Sequence, residues 1–124
     1  MSCLFCDLLK QKERIIYEND LVYAIYDSFP VNKGHILIIP KRHIKTYFEL
    51  EKDELFSLDE AICSLKRKLD QLYNPSGYNI GINNGESAGQ TIMHLHVHLI
   101  PRYNKDCDDP RGGVRGVIPE KQKY

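Results

Sequence analysis

Leu55, Leu58, Ile62, Leu65, Leu69 and Leu72 recur at alternating spacings of three and four, which draws one apolar stripe down a helix of about five turns. Acidic Glu51, Asp53 and Glu54 stand at its start and basic Lys66, Arg67 and Lys68 toward its end, matching the helix dipole. Asn74-Pro75-Ser76-Gly77 stops it. The sequence before it has the character of strands. Ile15 to Glu18 and Leu21 to Tyr26 are β-rich runs flanking Asn19-Asp20, a hairpin signal. Phe29 to Gly34 reads as a turn, and His35 to Ile39 as a third strand that ends at Pro40. Residues 3–10, with Phe5, Leu8 and Leu9, suit a short helix that covers part of the core. Beyond the long helix, Tyr78 to Asn83 reads as a fourth strand and Ile92 to Ile100 as a fifth, with the small-residue turn Asn84 to Gln90 between them.

The order β-β-β-α-β-β with short connections predicts an α+β fold, an antiparallel sheet with its helices on one face. The long stripe packs on that sheet rather than in a coiled coil. A single sheet of this kind keeps an apolar face or edge free, which predicts a dimer.

The chain has 124 residues, enough for one domain with a core of its own. Seventeen basic residues balance 17 acidic ones, so the basic excess that holds long nucleic acid is missing. The N-terminus has no basic targeting region, and the strongly apolar run Ile36 to Ile39 stops at Pro40, too short for a membrane. A cytoplasmic location is therefore expected, where Cys3, Cys6, Cys63 and Cys107 stay reduced.

Within Met93 to Ile100 a period of two places His94, His96 and His98 on one face of a strand, and Leu95, Val97 and Leu99 on the other. Three imidazoles in phase are costly to bury without partners. They suit either a metal site or phosphoryl and nucleotidyl transfer, in which a neutral imidazole attacks phosphorus. The preceding loop favours the second chemistry. Asn83, Gly85, Gly89, Gln90 and Thr91 offer amide, hydroxyl and backbone donors suited to phosphate oxygens.

The run His94-Leu95-His96-Val97-His98-Leu99-Ile100 resembles the signature of the histidine-triad (HIT) family. Cys3-Leu4-Phe5-Cys6, the Asp27 segment, Gly34 to Ile44 and Gly89-Gln90-Thr91 follow the order expected of it, and the likeness covers about residues 3–103. The resemblance implies a five-stranded antiparallel sheet with one long and one short helix, dimerised into a ten-stranded sheet. It implies that His96 attacks the α-phosphate of a purine nucleotide derivative, and that water resolves the nucleotidyl-histidine. His98 would hydrogen-bond phosphate or leaving-group oxygens, with His35 behind it as an orienting fourth histidine. Asn83, Gly89, Gln90 and Thr91 would line the phosphate pocket, where many members carry Ser at the position of Thr91. Asp27 would hold the ribose, although a lone Asp after a strand is by itself a turn former. Phe5, Leu8 and Ile25 would form the base pocket.

Cys3-x-x-Cys6 lacks the strand-before, helix-after setting of a redox motif, which leaves metal binding or burial. The bacterial branch of the family implies a structural zinc on Cys3, Cys6, His43 and His94, a closed set. Cys63 and Cys107 are read as structural. Residues 1–103 are expected to form the HIT domain and 104–124 a tail, rich in Gly, Pro and Arg, that is part of the same single domain or packs on the dimer through Val114, Val117 and Ile118, with Arg111 or Arg115 reaching the leaving phosphates of the substrate or of the partner's substrate. Hydrolysis of a nucleoside phosphoramidate or a dinucleoside polyphosphate is expected. Pro101-Arg102 leans toward the polyphosphate branch, and the Cys-x-x-Cys and Gly-Gln-Thr context toward the phosphoramidase-like one. Nucleotidyl transfer, a nucleotide-binding regulatory module and a zinc-stabilised interaction domain are the alternatives.

Overall fold

The computed structural model describes residues 2–124, so residue 1 of the expected domain lies outside the described residues. Helix α1 (Leu4–Gln11) leads into strands β1 (Ile15–Glu18), β2 (Val22–Tyr26) and β3 (Ile36–Pro40). Helix α2 (Lys52–Tyr73) follows, then β4 (Gly77–Ile82) and β5 (Val97–Arg102). The five strands form one antiparallel sheet in the order β1-β2-β3-β5-β4. Asn19 makes the first hairpin, its side-chain oxygen accepting the N–H groups of Leu21 and Val22 at 3.1 and 3.0 Å.

The two helices lie on opposite faces of the sheet, not on one. Val22, Ala24, Ile36, Ile38, Val97 and Leu99 pack with Leu58, Ala61, Leu65 and Leu69 of α2. The alternate residues Tyr23, Ile25, Leu37 and Ile39 pack with Phe5 and Leu8 of α1. The reason lies in β2 and β3, whose runs are apolar at nearly every position and so bury both faces. The Tyr23 hydroxyl donates to the Phe5 carbonyl and ties α1 to the sheet. The stripe on α2 is rotated toward Ala61, and Leu72 at its end is left 53% exposed. Cys63 and Cys107 are both exposed.

Buried Glu54, in the first turn of α2, accepts two hydrogen bonds from Arg42 at 2.7 and 3.1 Å. This pair holds the segment after β3 against the helix and so sets the position of His43. Gly34, at φ +89°, turns the chain into His35, and a Cβ there would stand 3.0 Å from side-chain carbons of Leu69 and Tyr73. Gly34→Ala is therefore expected to destabilise the fold by about 1–3 kcal/mol. Urea unfolding of the two proteins would check this. Among the described residues no helix is long and apolar enough to cross a membrane.

Candidate active site and metal centre

Strand β5 begins at Val97, not at Ile92. Its partners explain the late start. β4 ends at Ile82 opposite Val97, and β3 pairs with β5 only through Ile36–Leu99, Leu37–His98 and Ile38–Val97. Residues 92–96 make no ladder pairs with either strand, although β3 runs on to Pro40, and the Leu95 N–H donates instead to the Ile44 carbonyl at 2.7 Å. Only His98 of the three histidines is in the strand. His96 stands just before it, and His94 lies fully buried near the cysteines. The rings still form a chain, with His96 and His98 centroids 5.4 Å apart and Phe5 packed 5.0 Å from His96 and 5.8 Å from His94.

Backbone contacts fix where the ring protons sit. His96 Nδ1 lies 2.9 Å from the His94 carbonyl, which can only accept, so Nδ1 carries the proton and Nε2 the lone pair. The Val31 N–H donates to His35 Nδ1 at 3.0 Å, so the His35 proton is on Nε2. That N–H donates to His98 Nδ1 at 2.9 Å, which leaves His98 with its proton on Nε2. Asp27 Oδ2 lies 3.4 Å from His35 Nε2, while its Oδ1 accepts the Phe29 N–H at 2.9 Å. Asp27 is thus both the turn former expected of a lone Asp and a neighbour of the histidines.

Asp27, His35 and His98 are close enough for a common metal ion. Their hydrogen bonds argue otherwise. With Nδ1 of His35 already accepting the hydrogen bond of the Val31 N–H, a cation on Nε2 would require an imidazolate. The trio is a hydrogen-bond relay.

Burial, with the neighbouring charges of His96 and His35, depresses the His98 pKa to about 4. Burial also lowers His35, against the pull of Asp27. Folded His98 therefore binds fewer protons than the unfolded chain between about pH 4 and its ordinary value of about 6.5. Its contribution to stability is full above that ordinary value and is lost as pH falls through the window. Urea midpoints should drop between pH 7 and 5, with a shallower slope in His98→Asn.

A cleft of about 410 Å³ opens over the relay, lined by Asp27, His35, His98 and Asn83 together with Phe29, Val31, Asn79, Ile80, Gly81, Ile100 and Val114. Asn83 and Gly89 are neighbours, the side-chain nitrogen of Asn83 lying 3.8 Å from where a Gly89 Cβ would stand. Gly89 has φ +98°, a turn conformation that favours glycine. Gln90 does not face the cleft. It is 2% exposed, its oxygen accepts the Gly85 N–H, and its nitrogen donates to the Lys45 and Ile92 carbonyls. Its side chain holds the loop instead of offering a donor. Thr91 lies on a separate cleft of about 630 Å³ beside Cys3, Cys6 and His43. Phe5, Leu8 and Ile25 come together, but within the core under α1.

Phe29, Val31, Asn79 and Gly81 had no signal in the sequence beyond a turn and a strand. The Arg102 guanidinium is fully engaged, donating to both oxygens of Asp106 at 2.8 and 2.9 Å and to Asn79 at 2.7 Å. Asp106 also accepts from Asn32 at 2.7 Å, which braces the loop that carries Val31. In the tail, Val114, Val117 and Ile118 are more than half exposed within the single chain. Arg115 donates to the Lys121 and Gln122 carbonyls and lies 4.8 Å over the Tyr124 ring, turned into the tail itself.

The second group is Cys3, Cys6, His43 and His94, whose ligand atoms lie within 4.8 Å of one another. His94 Nδ1 is 3.1 Å from His43 Nδ1, 3.4 Å from Cys3 Sγ and 3.7 Å from Cys6 Sγ, and Cys6 Sγ is 3.5 Å from His43 Nδ1. A tetrahedron with bonds of about 2.0 Å to nitrogen and 2.3 Å to sulfur spaces its donors by about 3.3–3.8 Å. His94 Nε2–H donates to the Pro40 carbonyl at 2.8 Å, which aims the Nδ1 lone pair at the cluster. The donor set fits zinc.

Residues 9–105 match the family profile of the HIT domain. An uncharacterized HIT-like protein of Methanocaldococcus jannaschii is 39% identical, over 93% of this chain and 91% of its own. An adenosine 5'-monophosphoramidase of Schizosaccharomyces pombe is 35% identical over 86% of this chain and 78% of its own. A bis(5'-nucleosyl)-tetraphosphatase of the same yeast is 34% identical over 77% and 53%. Among solved structures, a HIT family member from Bacillus subtilis superposes with a TM-score of 0.79 at 32% identity, covering 98% of this chain and 89% of that one. A Zn-bound histidine triad protein from Mycobacterium smegmatis gives 0.76 at 33% identity, over 86% and 78%. With the histidines, their relay and the sheet that carries them already in place, these matches decide the matter: the chain belongs to the HIT family.

Proposed function

We propose that this protein hydrolyses the α-phosphate bond of a purine nucleoside phosphoramidate or dinucleoside polyphosphate, and that His96 is the nucleophile. The observation that carries this reading is the His94 carbonyl on His96 Nδ1, which leaves the Nε2 lone pair free. In the first step Nε2 bonds to the α-phosphorus as the bond to the leaving group breaks. In the second, water oxygen replaces Nε2 on phosphorus, releasing the mononucleotide and restoring the imidazole. His98, neutral across the physiological range, donates its Nε2–H to an oxygen of the phosphate or the leaving group. Val31 and His35 hold that proton in place through the relay.

Asp27 takes the ribose. The base lies on the α1 side of the sheet, where the core of Phe5, Leu8 and Ile25 backs the site and Phe29, 88% exposed, stands at the mouth. Asn83 and the Gly89 backbone face the phosphate, while Gln90 and Thr91 act through the loop and its flank. Zinc on Cys3, Cys6, His43 and His94 would supply a fixed tetrahedral cross-link and no reactive group. It would join α1, the segment after β3 and the turn before β5. A homodimer through β4 is supported by the strand's place at the sheet edge and by half-exposed Ile80.

The test is to mix the protein with adenosine and guanosine phosphoramidates and dinucleoside polyphosphates, and to measure mononucleotide release. Intact-mass spectrometry after rapid acid-free quench should show protein carrying one added nucleotidyl group. Absence of release from every compound would overturn the reading.

A further inference from the structure

The open floor of the cleft lies at Gly81. In the register of β4 and β5 this residue stands opposite His98. Residues directly opposite in an antiparallel pair point to the same face, so a side chain at 81 would rise beside the His98 imidazole. Gly81 lines the cleft that holds Asp27, His35 and His98. Its backbone is in ordinary extended strand, and a Cβ built there meets no atom within 4 Å. Neither a turn nor close packing requires glycine at this position, although glycine weakens a strand interior. What it provides is space.

The sheet order places that space on a particular side of the reacting centre. β5 lies between β3 and β4, so His35 and Asp27 are on one side of His98 and Gly81 is on the other. With the ribose at Asp27, a phosphorus in reach of His96 and His98 has its leaving group directed over β4. We infer that Gly81 is a specificity-determining residue, whose missing side chain admits a bulky leaving group such as the nucleoside phosphate half of a dinucleoside polyphosphate. This rests on the hydrolase reading above. It deepens that reading by naming where the two candidate substrate classes part, because a phosphoramidate releases only ammonia or a small amine and has no need of the space over Gly81.

The test compares wild type, Gly81→Ala and Gly81→Val on diadenosine tetraphosphate and on adenosine 5'-phosphoramidate, reading the ratio of the two kcat/KM values. A group the size of a methylene or two that misfits a substrate pocket changes kcat/KM by about 10–200-fold. The ratio, tetraphosphate over phosphoramidate, should therefore fall by at least about tenfold in Gly81→Val, with Gly81→Ala between. A ratio that stays within about twofold of wild type in both variants, or that rises, would overturn the inference. Thermal melts of the variants accompany the assay, and the alanine variant carries the test if the valine protein fails to fold. If wild type releases no mononucleotide from either compound, it is the hydrolase reading that has failed.

Discussion

His96→Ala is expected to lower mononucleotide release by about 10⁴-fold or more, the scale of loss when a covalent nucleophile is deleted. No neighbouring group can take its place. His98 presents an N–H to the cleft and has its lone pair occupied by His35, and the Nδ1 lone pair of His94 faces Cys3, Cys6 and His43. His96 alone combines a proton fixed by a backbone acceptor with a free lone pair on the opposite nitrogen. The nucleotidyl adduct should disappear from the mass spectrum of the variant, while the binding of a non-hydrolysable nucleotide, followed by calorimetry, persists. His96→Gly with added imidazole sharpens the test, because a small free nucleophile fits the vacated space and should recover part of the rate. Release that survives His96→Ala would refute the assignment.

The histidine run was legible because its signal is local. Alternation over His94 to His98 needs only the chain's own period, and the resemblance to the HIT family rests on that run. The helical stripe on α2 and the apolar runs of β2 and β3 are local in the same way. Information that depends on pairing was not legible. The period of two continues through Ile92 to Ile100, yet pairing with β3 and β4 begins only at Val97. The same alternation hid the different fate of His94, whose ring goes to the cysteines.

The helices on opposite faces follow from the burial of β2 and β3 on both sides. A run such as Ile36 to Ile39 is apolar at every position and so does not say which helix covers which face. Gln90, read as a phosphate ligand, has three hydrogen-bond partners, on Lys45, Gly85 and Ile92, and spacing does not reveal that these converge. Arg102 is similar. It leans toward the polyphosphate branch only as part of the Pro101-Arg102 pair, and spacing does not reveal that Asp106 and Asn79 close around it and leave it to brace the loop that carries Val31.

Removal of the metal carries the second large effect. A ligand held at about 100–1,000 times its dissociation constant adds about 3–4 kcal/mol to stability, and a domain of this size loses roughly 2–8 °C in Tm per kcal/mol. Chelation, or Cys6→Ser, should accordingly lower the Tm by about 10 °C or more. Stoichiometric zinc should be present in the wild type and absent from the variant by elemental analysis. Cys63→Ser is the control, since that thiol is exposed on α2 and outside the cluster. The effect should reach the reaction through one atom. His94 is both a member of the Cys3, Cys6, His43 cluster and the owner of the carbonyl that holds the His96 proton on Nδ1. Freed from the cysteines, the turn before β5 can shift, and the His94 carbonyl holds the His96 ring less firmly. Loss of a group that orients a site in this way costs about 10–100-fold in activity, so Cys6→Ser should lower kcat in that range without abolishing the adduct. Equal melting temperatures and equal zinc content in wild type and Cys6→Ser would refute the metal centre and leave the His96 assignment standing.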